Sequence, residues 1–222
     1  YYGRAFMPES WMLAASVGGV YYFARWMDRF GQRGGHGGRL GGHAAGAASC
    51  VLISLACLLK VPTLYLGLPL LWLCYERFGK GLFGKWQLWL YGVAVLGAVG
   101  AWYWHAHRIA GMTGLSFGLW TSDKAMWGGT WGTTFSWSYW YLIVVERLVE
   151  KHLAYAAALP VVVGLLTPRK RREEMLFDVW LVAVLMYFGI VSHGNKIHEY
   201  YQLPIMLPLC FYMGRVMACL LY

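Results

Sequence analysis

The residues best suited to chemistry lie in "HGNKIHEYYQLP", residues 193–204, between two long apolar runs. Tyr and Lys commonly anchor a helix at a membrane interface, which accounts for Lys196 and one tyrosine. Anchoring does not account for His193, His198 and Glu199 together. A Lys charge, Tyr hydroxyl donors and an imidazole beside a bilayer suit the recognition of a lipid-borne phosphate. The sequence therefore predicts an anion site at this edge of the membrane.

The composition predicts the kind of fold that holds such a site. Hydrophobic residues make up 59% of the 222 residues, charged residues only 13%, and the mean hydropathy is +0.46. Lipid admits only helices and closed barrels, because both satisfy every backbone hydrogen bond internally. The apolar runs are too long for barrel strands, which need about ten residues. We predict an all-α fold, a polytopic transmembrane helix bundle.

Seven apolar segments mark the predicted spans, which form one transmembrane domain over residues 1–222. They lie near 10–27, 44–59, 62–76, 87–104, 150–166, 175–192 and 203–222. Pro62 should break the chain between the second and third, since proline removes a helical hydrogen bond. A long outer loop is predicted at 105–149. Its five tryptophans favour an ordered loop built of short helices, because disordered segments are poor in aromatic residues.

The basic residues predict the orientation. Eleven of the nineteen lie in alternate loops, and short positive loops mark the cytoplasmic side. These eleven are Arg25, Arg29, Arg33, Arg39, Arg77, Lys80, Lys85, Arg169, Lys170, Arg171 and Arg172. The net charge of +9 is thus explained by topology rather than by nucleic-acid binding. The 105–149 loop and the 193–204 segment are predicted to lie outside.

Three other features were weighed for function. The Gly-rich stretch 31–43 follows no strand and matches no phosphate-binding spacing, so a flexible positive linker is the better interpretation. The five cysteines fall in apolar runs without CxxC spacing, which is typical of small buried side chains. Arg215 marks either a cytoplasmic helix end or a side chain facing the bundle interior.

Most of the remaining ionisable residues are predicted to share the outer face. They are Arg4, Glu9, Lys60, His105, His107, Arg108, Asp123, Lys124, Glu146, Arg147, Glu150, Lys151, His152, His193, Lys196, His198 and Glu199. His105 and His107 are two residues apart and do not share a helix face, so a metal pair is weighed against ordinary loop histidines. Arg4 and Glu9 bracket Pro8, which fits either a helix cap or a site.

Four stretches together resemble a known family. In order they are "RAFMPESWMLAASVGGVYYFARW", "LLKVPTLYLGLPLLW", "WYWHAHRIAGMTGLSFGLW" and "NKIHEYYQLPIMLPL". They are similar to the middle and later parts of bacterial polytopic glycosyltransferases of the GT-C class. The closest group is the dolichyl-phosphate-mannose–protein mannosyltransferase-like one, which includes the lipid A aminoarabinose transferases.

The resemblance implies a transferase on the periplasmic face of the bacterial inner membrane. It would move a sugar from a polyprenyl-phosphate carrier to a lipid, glycan or protein acceptor. Lys196, His198, Tyr200 and Tyr201 match the family's outer loop near the carrier phosphate. Arg4 and Glu9 match a helix start that borders the active cavity, and Lys60 before Pro62 matches a Lys-Pro turn on the same face. With His105 and His107 of the outer face, these form the predicted substrate-binding set.

One departure from the family leaves the catalytic residue unassigned. The family's catalytic acidic residue lies in a first outer loop upstream of "MPE", and no such loop precedes it here. We expect a piece of a longer enzyme rather than a shortened relative. No cofactor is predicted with certainty, a divalent metal at the outer-face site being the open alternative. The competing functions are a non-catalytic transmembrane subunit of a larger complex and, less favoured, a transporter, since ionisable residues are scarce within the spans.

Overall fold

The computed structural model describes residues 8–30, 36–114, 130–169 and 171–221. Throughout these ranges the chain is helical or in short turns and contains no strand, which confirms the all-α prediction. The predicted single domain divides into two compact units, Tyr1–Thr121 and Ser122–Tyr222. We call them unit 1 and unit 2 and describe each by itself.

The described residues of unit 1 form four α-helices and two 3₁₀ segments. The elements are α1 (Glu9–Arg29), α2 (His36–Leu59), a 3₁₀ segment (Val61–Leu66), α3 (Gly67–Phe78), a second 3₁₀ segment (Gly79–Gly84) and α4 (Trp86–Thr113). Lys60 is extended and Pro62 opens the first 3₁₀ segment. The predicted break after α2 is therefore confirmed.

Small residues bring α1 and α2 together. A Cβ on Gly19 would lie 2.6 Å from Ile53 Cδ1, and one on Gly46 would lie 3.0 Å from the Trp26 ring. Ser49 Oγ donates a hydrogen bond of 2.8 Å to the Gly19 carbonyl. Close backbone approach of this kind replaces the hydrophobic effect as the source of helix association in lipid. It aligns the start of α1 with the end of α2.

Helix α4 joins this pair through Tyr91. The Tyr91 hydroxyl lies 2.9 Å from Ser49 Oγ, and its ring centroid lies 5.1 Å from that of Phe23 and 5.6 Å from that of Trp26. An apolar cavity of about 340 Å³ opens between α2, α3 and α4. Its described lining, which includes Leu70 and Leu96, holds no charged side chain.

Unit 2 is built of shorter elements. They are α5 (Thr130–Thr134), α6 (Trp137–Tyr141), a π-helix (Leu142–His152), α7 (Ala158–Leu166), a 3₁₀ segment (Arg172–Glu174), α8 (Met175–Ile190), α9 (Ser192–Ile197), another 3₁₀ segment (Glu199–Ile205) and α10 (Met206–Leu221). A π-helix of eleven residues is unusual, because such geometry mostly occurs as single turns and often at functional sites.

The described part of the predicted outer loop is ordered. Tyr139 in α6 is buried and its hydroxyl donates to the Phe188 carbonyl at 2.7 Å. Thr134 Oγ1 donates to the Gly189 carbonyl, also at 2.7 Å. These bonds satisfy carbonyls in the last turn of α8, which have no partner within the helix. Residues 130–149 thus form short helices as predicted, while 115–129 lie outside the described residues.

Arg215 lies within α10, and its side chain binds the end of α7. Its guanidinium donates to the carbonyls of Gly164 at 2.9 Å and Pro168 at 2.7 Å, and it lies 3.1 Å from Glu174 Oε2. Nearby, Arg169 pairs with Asp178, which also accepts a 2.7 Å bond from the Tyr212 hydroxyl. The side chain of Arg215 is therefore held by carbonyls and a carboxylate of unit 2. Arg215 does not mark the end of its own helix, because α10 continues past it to Leu221.

Within the described ranges, two helices are long and apolar enough to cross a membrane, judged by length and composition: Gly42–Leu59 and Glu199–Leu221. A third candidate is the bent pair Val61–Gly84 and Trp86–Thr113, which turns by 101° at its break. The seven-span arrangement stays a prediction. Three boundaries differ most from the predicted segments: α2 begins at His36 rather than near 44, α4 continues past 104 to Thr113, and α7 begins at Ala158 rather than near 150.

Candidate functional site

The structure brings together two predicted site residues in unit 1, Glu9 and Lys60. Glu9 begins α1 and Lys60 follows α2, so the antiparallel packing of these helices places both at one end. Lys60 Nζ lies 2.5 Å from Glu9 Oε1, and their side chains are only 14% and 3% exposed. Burial lowers the pKa of Lys60 although the carboxylate opposes that shift. The result is a desolvated ion pair.

One carboxylate oxygen of the pair has no hydrogen-bond partner among the described residues. Glu9 Oε2 is buried and accepts no hydrogen bond from any described residue, and the buried hydroxyl of Thr63 likewise has none. A buried polar atom without a partner costs about 1–3 kcal/mol, so such atoms are seldom left in place without a reason. This end of unit 1 could therefore accept a hydrogen bond from a ligand hydroxyl.

The other predicted residues of unit 1 are less informative. His105 and His107 are exposed on α4, and the His105 ring lies 6.1 Å from that of Trp102. Both sit on a helix rather than in a loop, because α4 continues to Thr113. Across the described ranges no group of three or more His, Cys, Asp or Glu side chains is placed to hold a metal ion. Arg4 lies outside the described residues.

In unit 2 the predicted phosphate segment forms a compact cluster. Lys196 is exposed in the last turn of α9, and His198 is extended between α9 and the 3₁₀ segment. The His198 ring centroid lies 5.1 Å from that of Tyr200 and 5.0 Å from that of Tyr201, and the two tyrosines are 5.2 Å apart. All three rings are half-buried. Imidazole and phenol groups thus gather in the segment that directly follows Lys196 in the chain.

The two tyrosines have different surroundings. A Cβ on Gly194 would lie 3.1 Å from Tyr201 Cε2, so this ring packs against the α9 backbone. The Tyr201 carbonyl also accepts a 3.3 Å bond from the Tyr187 hydroxyl. Tyr201 is therefore partly a packing residue. The hypothesis that only one tyrosine meets the ligand now favours Tyr200.

Beneath this cluster lies a residue that the site prediction missed, Arg147 of the π-helix. It is 9% exposed, and its guanidinium donates to the backbone carbonyls of Asn195 and Lys196, the latter at 2.6 Å. The buried Gln202 side chain donates to the Asn195 carbonyl at 2.9 Å and to the His198 carbonyl at 3.3 Å. These bonds hold the backbone of the predicted phosphate segment from inside the unit.

His152 and Lys151 complete the surroundings. His152 Nδ1 lies 2.9 Å from the Arg147 carbonyl, so that nitrogen carries the proton in the neutral ring, and burial lowers the pKa of His152. Lys151 Nζ pairs with Glu199 Oε2 at 2.7 Å in an exposed position. Nothing in the sequence distinguishes Arg147 from its neighbours, because "ERLVEKH" has the charge pattern of a solvated helix face.

Comparison of the chain with protein-family models, with curated proteins and with solved structures gives no match. The assignment of a function therefore depends on the residues and their geometry.

Proposed function

We propose that this protein is a membrane glycosyltransferase that moves a sugar from a polyprenyl-phosphate carrier to a lipid, glycan or protein acceptor. The observation that carries the proposal is the cluster of Lys196, His198 and Tyr200 at the start of the candidate span Glu199–Leu221. A cluster at the end of a span lies at headgroup level, where a lipid-linked phosphate sits. The resemblance of the four quoted sequence stretches supports the same class.

The chemistry of sugar transfer explains the need for these residues. When an acceptor oxygen bonds to the anomeric carbon, the bond from that carbon to the phosphate oxygen breaks. The leaving phosphate gains negative charge, which a fixed ammonium group and hydrogen-bond donors stabilise. Lys196 supplies the charge, while His198 and Tyr200 supply donors. The proposal assigns no catalytic base among the residues of this chain.

In unit 1, taken by itself, the proposal assigns a hydroxyl-binding role to Glu9. Its Oε2, which accepts no hydrogen bond from the described residues, can accept one from a sugar hydroxyl, while Lys60 pairs with Oε1. The protein is proposed to span the bacterial inner membrane seven times in a GT-C arrangement, with its site on the periplasmic face. The candidate membrane-crossing helices support the membrane setting.

The proposal is tested by transfer from a radiolabelled polyprenyl-phosphate sugar, using full-length protein in lipid. A charge-assisted hydrogen bond contributes roughly 1.5–3 kcal/mol, so Lys196→Ala should weaken carrier binding by about ten- to a hundredfold. His198→Ala should also lower transfer. Lys80→Ala, at an exposed lysine of a predicted cytoplasmic loop, is the matched control and should leave transfer unchanged.

Two results would count against this function. Folded Lys196→Ala and His198→Ala proteins with undiminished transfer would reduce the segment to an interface anchor. Folded wild-type protein that neither binds the carrier nor transfers sugar would favour the alternative, a non-catalytic transmembrane subunit.

A further inference from the structure

Arg147 is a buried cation, and the described residues form no ion pair that gives it a carboxylate partner. Arg147 is 9% exposed, and none of the four ion pairs found among the described residues includes it. Its guanidinium donates to two backbone carbonyls and to the Gln202 side-chain oxygen. Burying a charge without a counter-ion is costly. A cation kept under these conditions needs an explanation beyond packing.

The carbonyls that Arg147 binds belong to residues 195 and 196, at the C-terminal end of α9. Carbonyls in the last turn of a helix lack intrahelical partners. The planar guanidinium can meet two of them at once, which a lysine ammonium does only in part. The Gln202 side chain donates to the carbonyls of Asn195 and His198. The backbone of residues 195, 196 and 198 is thus fixed by side chains that are themselves buried.

We propose that Arg147 is a positioning residue, which holds the backbone under Lys196 and His198 so that both side chains meet a phosphate, and that its own charge raises the affinity of the segment for that anion. This inference rests on the proposed function and names the group that organises its phosphate site. Arg147 acts through the segment it holds. It is therefore not assigned as a catalytic residue.

A helix cap with no bearing on ligand binding is the competing explanation, and the chain contains a matched control for it. Arg215 is also largely buried and donates to backbone carbonyls, those of Gly164, Thr167 and Pro168. It lies nine residues into α10, about 13 Å along the axis from the end of the phosphate segment. Arg215→Lys disturbs the same kind of bond at a distance from the anion site.

The experiment compares wild type, Arg147→Lys and Arg215→Lys in the whole protein in lipid nanodiscs. Binding is titrated with farnesyl phosphate and, as the phosphate-free probe, with farnesol. Hydrogen exchange is followed over residues 195–202. Arg147→Lys should weaken farnesyl phosphate binding roughly tenfold, leave farnesol binding unchanged and speed exchange in 195–202. Arg215→Lys should change neither the affinity for farnesyl phosphate nor exchange in that segment.

If Arg147→Lys does not fold, Gln202→Met provides the second variant. It removes the bonds to the Asn195 and His198 carbonyls at similar side-chain volume, and the same selective loss of phosphate affinity is expected.

Three results would overturn the inference, and they are distinguishable. Faster exchange with unchanged farnesyl phosphate affinity would make Arg147 a cap alone. Unchanged exchange would show that it does not hold the segment. Wild type that binds farnesyl phosphate no better than farnesol would refute the proposed function, and the inference with it.

Discussion

Glu9 and Lys60 stand 51 positions apart in the sequence and meet as a buried ion pair. Both were predicted to lie on the outer face because the basic loops set the orientation of the helices. Their contact was not predictable, since it depends on the register of α1 against α2, which Gly19 and Gly46 determine by allowing close approach. Residue type therefore predicts an outer-face position for these charges, and packing decides that they pair.

Removing one partner of this pair should be more harmful than removing both. Lys60→Met leaves a buried carboxylate without its cation, and we expect a loss of about 3–5 kcal/mol in the free energy of unfolding. The double variant Glu9→Gln with Lys60→Met should lose clearly less, because no charge remains buried. Thermal unfolding in a mild detergent measures both.

The exposed pair of unit 2 gives the control for this comparison. Lys151 and Glu199 have side chains that are 56% and 42% exposed. Lys151→Met should therefore cost at most about 1 kcal/mol. Equal losses for Lys60→Met and Lys151→Met would contradict the view that the Glu9–Lys60 pair is desolvated.

Among the described glycines, Gly164 in α7 is the one where an added Cβ would lie nearest to the backbone of another helix, at Tyr212 of α10. A Cβ at this position would strike the Tyr212 carbonyl oxygen and lie 2.7 Å from its carbonyl carbon. Backbone atoms cannot move aside as a flexible side chain does. Arg215 and Tyr212 both depend on this contact, because they bind the end of α7 and Asp178.

Gly164→Ala should therefore destabilise unit 2 by about 1–3 kcal/mol, the usual cost of overpacking. Gly97→Ala in α4 is the control, because a Cβ there meets nothing within 4 Å. Alanine favours a helix by about 1 kcal/mol over glycine, so the control should be neutral or stabilising. A lowered unfolding temperature for Gly97→Ala but not for Gly164→Ala would contradict the described packing.

The end of α4 shows why one boundary was misplaced. The apolar run ends near 104, but "HAHRIAGMT" contains no helix breaker. The helix stops at Thr113, where Gly114 adopts φ +70°, the left-handed conformation that commonly terminates helices. Hydropathy marks the length of chain that prefers lipid, whereas backbone chemistry determines where the helix ends. The apolar run therefore ends near 104, whereas the helix ends at Thr113 and includes both His105 and His107.

For the whole molecule, the orientation in the membrane is the prediction on which the site depends. Reporter fusions after Arg39, Lys80 and Arg171 should report cytoplasm, and those after Gly129 and Asn195 should report the outside. The reason is the concentration of basic residues in alternate loops, which set the orientation during insertion. Fusion activity of paired alkaline phosphatase and fluorescent reporters gives the measurement. A cytoplasmic signal at Asn195 would remove the phosphate segment from the outer face.

Hydropathy and residue type along the chain were sufficient to predict an all-α membrane protein, the break at Pro62 and the gathering of His198, Tyr200 and Tyr201, because these are local properties of the chain. The role of Arg147 came only from the tertiary structure. Its neighbours in the sequence are those of a solvated charge. In the structure it is buried and binds two backbone carbonyls, because the π-helix packs against the end of α9. The burial of Arg147 and its hydrogen-bond partners depend on contacts between segments that are distant in sequence. A local sequence pattern cannot predict such contacts.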